Sequence, residues 1–338
     1  MTAGASKFSD KSRQNSVFFL NSAGQELVDL GVDESLLVPP STPENLLKTK
    51  KFSPSVSVAY HPGRNVTLYA RYAQGFRTGY NDFGLSTLFA QLALAGAGGD
   101  PSFITGEVRA EDIEAFELGA KGSFLDDRIY GEIALYRNDL SDTQQSSIVV
   151  EPDSGVASNI TSNLGQARTQ GVELLFRFNE LFAKGLTVSL AGSLLEAEIR
   201  GDDGEPFFLN GQRLNSTPEI ILSAMAAYRF DIGTSGLEGT LSGSVQYAGD
   251  RSLSQLGLAP IVGDAITRAD ARFEVAKDAW AAFVFIQNAF NEDGRVNPTV
   301  ASEPGSSAYL GNVLLPFEGL IGNRIRPRSI GAGVKFDF

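Results

Sequence analysis

The sequence predicts an all-β chain forming part of an antiparallel transmembrane β-barrel. Three observations predict it. First, the last ten residues, SIGAGVKFDF, place Ile330, Ala332, Val334, Phe336 and Phe338 against Gly331, Gly333, Lys335 and Asp337. Successive side chains of a strand point to opposite faces, so one face is apolar and ends on an aromatic, while the other is polar. Second, the same alternation recurs along the chain. Third, the connections alternate between short and long, as they do when short turns gather on one rim of a membrane barrel and long loops on the other.

The elements follow in order. Thr2 to Ser9 is the poorest strand, because Ser6 and Lys7 disturb its alternation; residues 10–50 are polar, with Pro39, Pro40 and Pro43 marking a loop. Phe52 to Tyr60 sets Val56, Val58 and Tyr60 on one face, and HPGR (61–64) turns the chain. Asn65 to Phe76 follows, then a loop over 77–113. Glu114 to Ser123 and Arg128 to Asn138 flank the LDD turn, and residues 139–170 form a long connection with an extended piece near Gln144 to Val150. Gly171 to Phe178, Leu186 to Glu198, Glu219 to Phe230 and Leu237 to Ala248 are strands joined by turns at 179–185 and 231–236 and by a loop at 199–218. Loop 250–264, strand Ala265 to Val275, the turn 276–279, strand Trp280 to Asn288 and loop 289–328 lead to the terminal strand. The twelve strands run about 8 to 13 residues, near the length a tilted strand needs to cross a bilayer. Tyr60, Tyr72, Phe76, Tyr136, Tyr228 and Tyr247 are expected as interfacial aromatics.

Composition removes several function classes. With 0 Cys there is no disulfide framework, thiolate metal site or cysteine nucleophile, and 1 His argues against a His-based triad or a multi-histidine metal centre. A net charge of −12 argues against nucleic acid, whose phosphates require clustered Lys and Arg. No run of about 18 apolar residues is present, so no transmembrane helix is expected, and MTAGASKFSD carries no apolar core of signal-peptide length. No enzyme activity, cofactor or metal site is expected.

Six segments in this order resemble the barrel domain of TonB-dependent outer-membrane receptors: YARYAQGFRTGYND (69–82), FELGAKGSFLDDRIYGEIALYRNDL (116–140), NLGQARTQGVELLFRF (163–178), LNSTPEIILSAMAAYRF (214–230), QNAFNED (287–293) and RPRSIGAGVKFDF (326–338). The resemblance implies a 22-strand barrel in the outer membrane of a Gram-negative bacterium, with a plug in its lumen. It implies energy-coupled uptake of a scarce small-molecule ligand, such as a ferric siderophore or another metal chelate, with TonB acting through the plug. The plug and the segment that contacts TonB have no counterpart here, so residues 1–338 are read as one domain, the C-terminal portion of such a barrel, and not transport-competent alone. The resemblance also implies recognition of the final strand by the barrel assembly machinery, with Gly333, Phe336 and Phe338 matching its small-residue and aromatic spacing. A passive porin-like or structural outer-membrane barrel and a soluble all-β binding protein remain as alternatives.

Loop residues Arg77, Tyr80, Phe207, Phe208 and Tyr309 are the ligand-binding candidates, because Arg and aromatic faces suit planar anionic chelates. Against them stands packing of the loops on themselves. The charges Arg71, Glu117, Lys121, Glu173, Arg177, Arg229, Arg268, Asp270 and Arg272 fall on polar strand faces and read first as a hydrated wall. His61 and the Asp126–Asp127 pair sit in turns, where Asp favours turn geometry, and Asp202, Asp203 and Glu205 form an acidic loop tip.

Overall fold

The computed structural model describes residues 2–14, 45–81, 87, 90–91, 95, 101–150, 157–200, 210–255, 258–300 and 320–336. The strands, in chain order, are β1 (Thr2–Gln14), β2 (Asn45–Gly63), β3 (Val66–Arg77), β4 (Tyr80–Asn81), β5 (Glu107–Val108), β6 (Glu111–Phe124), β7 (Ile129–Val150), β8 (Ala157–Asn179) and β9 (Leu186–Arg200). They continue as β10 (Ile220–Ile232), β11 (Leu237–Ala248), β12 (Ser252–Gln255), β13 (Leu258–Val262), β14 (Ile266–Lys277), β15 (Trp280–Gln287), β16 (Arg295–Val300), β17 (Leu320–Arg324) and β18 (Ser329–Phe336). One antiparallel path runs β1-β2-β3-β6-β7-β8-β9-β10-β11-β14-β15-β18, with β4–β5, β12–β13 and β16–β17 as small ribbons within the long connections. The path is open: among the described residues β1 and β18 stand at its two ends and do not pair with each other.

The register shows why the alternation matters. Leu68, Ala120, Ile133, Leu174, Gly192, Leu222 and Tyr247 lie directly opposite one another across seven strands. A second row joins Ala70, Leu118, Leu135, Val172, Leu194 and Ile220. Further round the sheet, Tyr228, Leu241, Phe273, Val284 and Ala332 form another. These side chains have little protein to pack on: Leu118 is 58% exposed, Val334 61% and Ile330 76%. The rows add up to a continuous apolar surface far larger than a water-soluble monomer tolerates. About 9 residues of strand at the usual tilt rise about 23 Å, close to the apolar band of a membrane barrel.

The apolar face ends in a polar collar towards the long loops. Opposite Phe116 stands Arg137, and opposite Glu114 stands Asp139. The Asp139 carboxylate accepts from Arg137 at 2.8 Å and from Arg168 at 2.7 Å, while Gln170 donates to Glu196 at 2.6 Å. On β6 to β9 the outward charges thus lie at the rim beyond the apolar rows.

Turn chemistry sets the other rim. Leu125, Asp126 and Asp127 are left-handed, at φ 55°, 55° and 62°; Asp reaches that region more readily than most residues. Gly185 (φ +79°) has no room for a Cβ, which would strike the carbonyl oxygen of Arg229.

Three expectations are corrected. Residues 139–170 are not chiefly a loop: β7 and β8 continue in register through Val150 and Ala157 as one long ribbon. Thr2–Ser9 does not stop at Ser9 but pairs with β2 out to Gln14↔Asn45. Tyr136 is not an outward interfacial aromatic. It lies opposite Glu117 and Gly171 on the polar face, because strand parity puts the exposed Leu135 outside.

Candidate functional site at the long-loop rim

The chain past β3 leaves the sheet and returns through β5 to β6, and its base is fastened to the long β7–β8 ribbon. The fastening is polar and dense. Arg77 Nη2 donates to the Gln144 carbonyl oxygen at 2.7 Å and pairs with Glu111 Oε2 at 3.1 Å. The Gln144 backbone N–H donates to the same Glu111 oxygen at 2.7 Å. The Gln144 side chain, buried, donates to the carbonyl oxygens of Thr78 (3.0 Å) and Arg109 (2.8 Å). Asn163 Oδ1 accepts from the Arg109 N–H at 2.6 Å, and its Nδ2 donates to the carbonyl oxygens of Arg109 (3.0 Å) and Asp142 (2.7 Å). Arg109 closes the cluster with a 2.7 Å ion pair to Asp142. A Cβ at Gly79 would strike the Val108 carbonyl oxygen, so the two ends of the loop approach closely there.

Beyond this clamp, Ala90 and Ile104 are buried against Ala167, Ala197, Ile199 and Leu214. Ala167 and Ile199 are opposite one another on the face that Arg168 and Glu198 do not occupy, which is the inner face. Ala90 and Ile104 are therefore packed over the inside of the wall at its long-loop end. Just beneath, a recess of about 490 Å³ is lined by Arg71, Ala115, Glu117, Tyr136, Asn138 and Glu173 among others.

The predicted ligand residues fall as follows. Arg77 belongs to the clamp, although its side chain keeps 54% of its exposure. Tyr80 lies opposite Val108 in the β4–β5 ribbon and is exposed. Phe207, Phe208 and Tyr309 lie outside the described residues, as do Asp202, Asp203 and Glu205. The structure brings Arg77 and Tyr80 to the same loop base. Sequence reasoning missed Gln144, Asn163, Arg109 and Asp142; for Asp142 and Gln144 the only signal was the polar run over 139–146, which has no apolar period to read.

The inner wall itself carries charges of both signs. Arg71 stands opposite Glu117 and Lys121 opposite Glu132. Arg229 pairs with Glu238 at 3.2 Å, Arg268 with Asp270 at 2.9 Å, and Arg272 with Glu274. Among the described residues no three His, Cys, Asp or Glu side chains cluster as a metal site, and His61 is exposed near the end of β2, which runs on to Gly63, so the turn expected at 61–64 begins later, at Arg64. In the terminal strand Gly333 faces Phe283 on the inner face, and Phe336 faces Trp280 on the outer one. Phe338 lies outside the described residues.

A family model described as "TonB dependent receptor-like, beta-barrel" matches residues 12–289. Among solved structures, the ferric yersiniabactin uptake receptor FyuA from Yersinia pestis is 17% identical, with a TM-score of 0.63, over 87% of this chain and 38% of that one. The ferric-catecholate import receptor Fiu from E. coli is 17% identical, with a TM-score of 0.59, over 89% and 37%. The siderophore receptor PiuA from Acinetobacter baumannii is 16% identical, with a TM-score of 0.58, over 89% and 38%. The likeness at these identities is one of fold, and the chain spans less than two-fifths of each of these structures. No curated protein matches the chain.

Proposed function

Because the chain belongs to the TonB-dependent receptor-like β-barrel family, we propose that it forms the C-terminal part of an outer-membrane receptor that takes up a scarce iron chelate by energy-coupled transport. The observation that carries this reading is the loop base at Arg77, Gln144 and Asn163. It ties both ends of loop 77–113 to the β7–β8 ribbon at the rim where the long connections gather. A pore open to any small solute has no need to fix a loop there with buried amide hydrogen bonds. The structural neighbours, named as a ferric yersiniabactin uptake receptor, a ferric-catecholate import receptor and a siderophore receptor, support the choice of ligand class. In this reading the apolar face meets lipid, the short turns lie at the periplasmic rim and the long loops face the exterior. Arg77 and Tyr80, with Phe207, Phe208 and Tyr309, meet the chelate. Gly333, Phe336 and Phe338 form the strand read by the barrel assembly machinery. TonB acts through a plug that these residues do not encode, so residues 1–338 expressed alone support no uptake.

Loop exchange tests the proposal. Moving residues 77–113 and 199–218 into a related receptor of known ligand, at equal surface level, shifts its preference among ferric chelates in a growth assay. An unchanged preference removes the loops from ligand choice. Growth on a scarce chelate supported by residues 1–338 alone, in a strain lacking its own receptor, contradicts the partial-barrel reading.

A further inference from the structure

Two phenylalanines sit on the polar inner face, where the hydrated-wall reading gives them no role. Phe283 and Phe285 of β15 lie directly opposite Gly333 and Gly331 of β18. The rings cover those glycines closely: a Cβ at Gly333 would come within 2.6 Å of Phe283 Cζ, and one at Gly331 within 2.5 Å of Phe285 Cζ. Contacts that short are not available to a real side chain without displacing the ring. Phe283 is held from its other side as well, by the Arg272 guanidinium 3.6 Å from its ring centroid, and Phe285 follows at 6.3 Å between centroids. Ring and glycine fit as peg and socket, and the glycines of the terminal strand have a packing reason of their own.

The outer face sets this register only weakly. There Ile286, Val284, Ala282 and Trp280 meet Ile330, Ala332, Val334 and Phe336. A one-residue slip would turn the apolar set inward and is excluded. A two-residue slip, however, keeps at least three outer pairs apolar in either direction, although Ile286 moves opposite Arg328 in one and Ile330 opposite Asn288 in the other. On the inner face the same slip always costs one socket. In one direction Phe285 moves opposite Ser329; in the other Phe283 moves opposite Lys335. Only the observed register seats both rings on glycine.

We propose that Phe283 with Gly333 and Phe285 with Gly331 form a two-point register lock that fixes how the terminal strand joins the wall. Gly333 then acts first as the receptacle for Phe283, a role distinct from recognition by the assembly machinery. The same arrangement recurs at Tyr69 with Gly119, Tyr136 with Gly171 and Phe230 with Gly239, each a directly opposed pair.

The test uses the chain expressed from its native gene with flanking sequence retained. The readouts are the amount of heat-modifiable folded form in the outer membrane and the register of β18. Because the natural chain has 0 Cys, Ala281→Cys with Lys335→Cys, opposite in the observed register, reports that register by disulfide yield. Gly333→Ala is expected to lower both readouts several-fold. Phe283→Ala alone keeps the folded form within about twofold. The double variant Phe283→Ala with Gly333→Ala recovers the folded form, because the methyl then has room. No recovery in the double variant assigns Gly333 to recognition alone and overturns the lock. A Gly333→Ala chain with native folded level and native cross-link yield overturns it equally. Neither outcome bears on which ligand the receptor carries.

Discussion

Asn163 brackets the peptide unit of Arg109, accepting from its N–H at 2.6 Å and donating to its carbonyl oxygen at 3.0 Å. A side-chain amide used in this way replaces a strand neighbour for a segment that has none. Removing it takes the acceptor from the Arg109 N–H and a donor from the Asp142 carbonyl oxygen, while the Arg109 carbonyl keeps Gln144 at 2.8 Å; each group left buried and unpaired costs about 1–3 kcal/mol. Asn163→Ala and Gln144→Ala are therefore expected to open the base of loop 77–113 while the wall stays folded. Limited proteolysis of intact cells reads this as faster cleavage within 77–113 and unchanged heat modifiability. Equal cleavage rates in the variants and the parent contradict the clamp.

Leu174 and Glu173 are neighbours on β8 that face opposite solvents. Leu174 sits in the row between Ile133 and Gly192, in the middle of the apolar band. Leu174→Arg is expected to destabilise the folded form in lipid by about 2–4 kcal/mol, the cost of a cation near the bilayer midplane. Ser193→Arg, opposite Glu173 on the inner face, gains a carboxylate neighbour and is expected to change stability little. Denaturant unfolding in lipid vesicles compares the two; equal losses remove the assignment of faces.

Asp264 fastens the connection before β14 to Arg295 of β16. The Arg295 backbone N–H donates to Asp264 Oδ2 at 2.9 Å, and its guanidinium meets the same oxygen at 3.2 Å. These contacts, the backbone one first, hold the Asp264 carboxyl below its ordinary value. The depressed group contributes stability that is present above the unfolded carboxylate range, about pH 4, and is lost as pH falls through the lower folded value. Exchange protection of the Arg295 amide is expected to hold from pH 8 down to about 5 and to fall only below the carboxylate range. Asp264→Asn is expected to weaken that protection at neutral pH and to remove its acid step. A step near neutrality instead would assign the fastening to another group.

The period-2 pattern made the wall legible, because lipid on one side and water on the other force alternation on every strand that crosses between them. It made the faces legible for the same reason: Leu68, Leu118 and Leu174 are where parity puts them. Beyond the collar both sides of a strand are wet, and alternation has no cause. The ribbon of 141–150 with 157–166 is held by backbone pairing between polar residues such as Gln144, Gln145 and Ser162, so hydropathy is silent about it. Tyr136 was misplaced because a mid-strand tyrosine looks like an interfacial one until its parity is counted. Arg77 was found because it stands at a loop base, but its commitment to Gln144 and Glu111 depends on contacts 67 and 34 residues away, which no local pattern reports.

The most direct test of the central claim is a comparison of solvent around adjacent side chains of one strand. Single cysteines at Val172, Glu173, Leu174 and Leu175, each unique because the natural chain has 0 Cys, carry a fluorophore in the outer membrane or in vesicles. A lipid-borne quencher should dim the labels at 172 and 174, and an aqueous quencher those at 173 and 175. Uniform aqueous quenching at all four positions contradicts a membrane wall, and the opposite alternation contradicts the register.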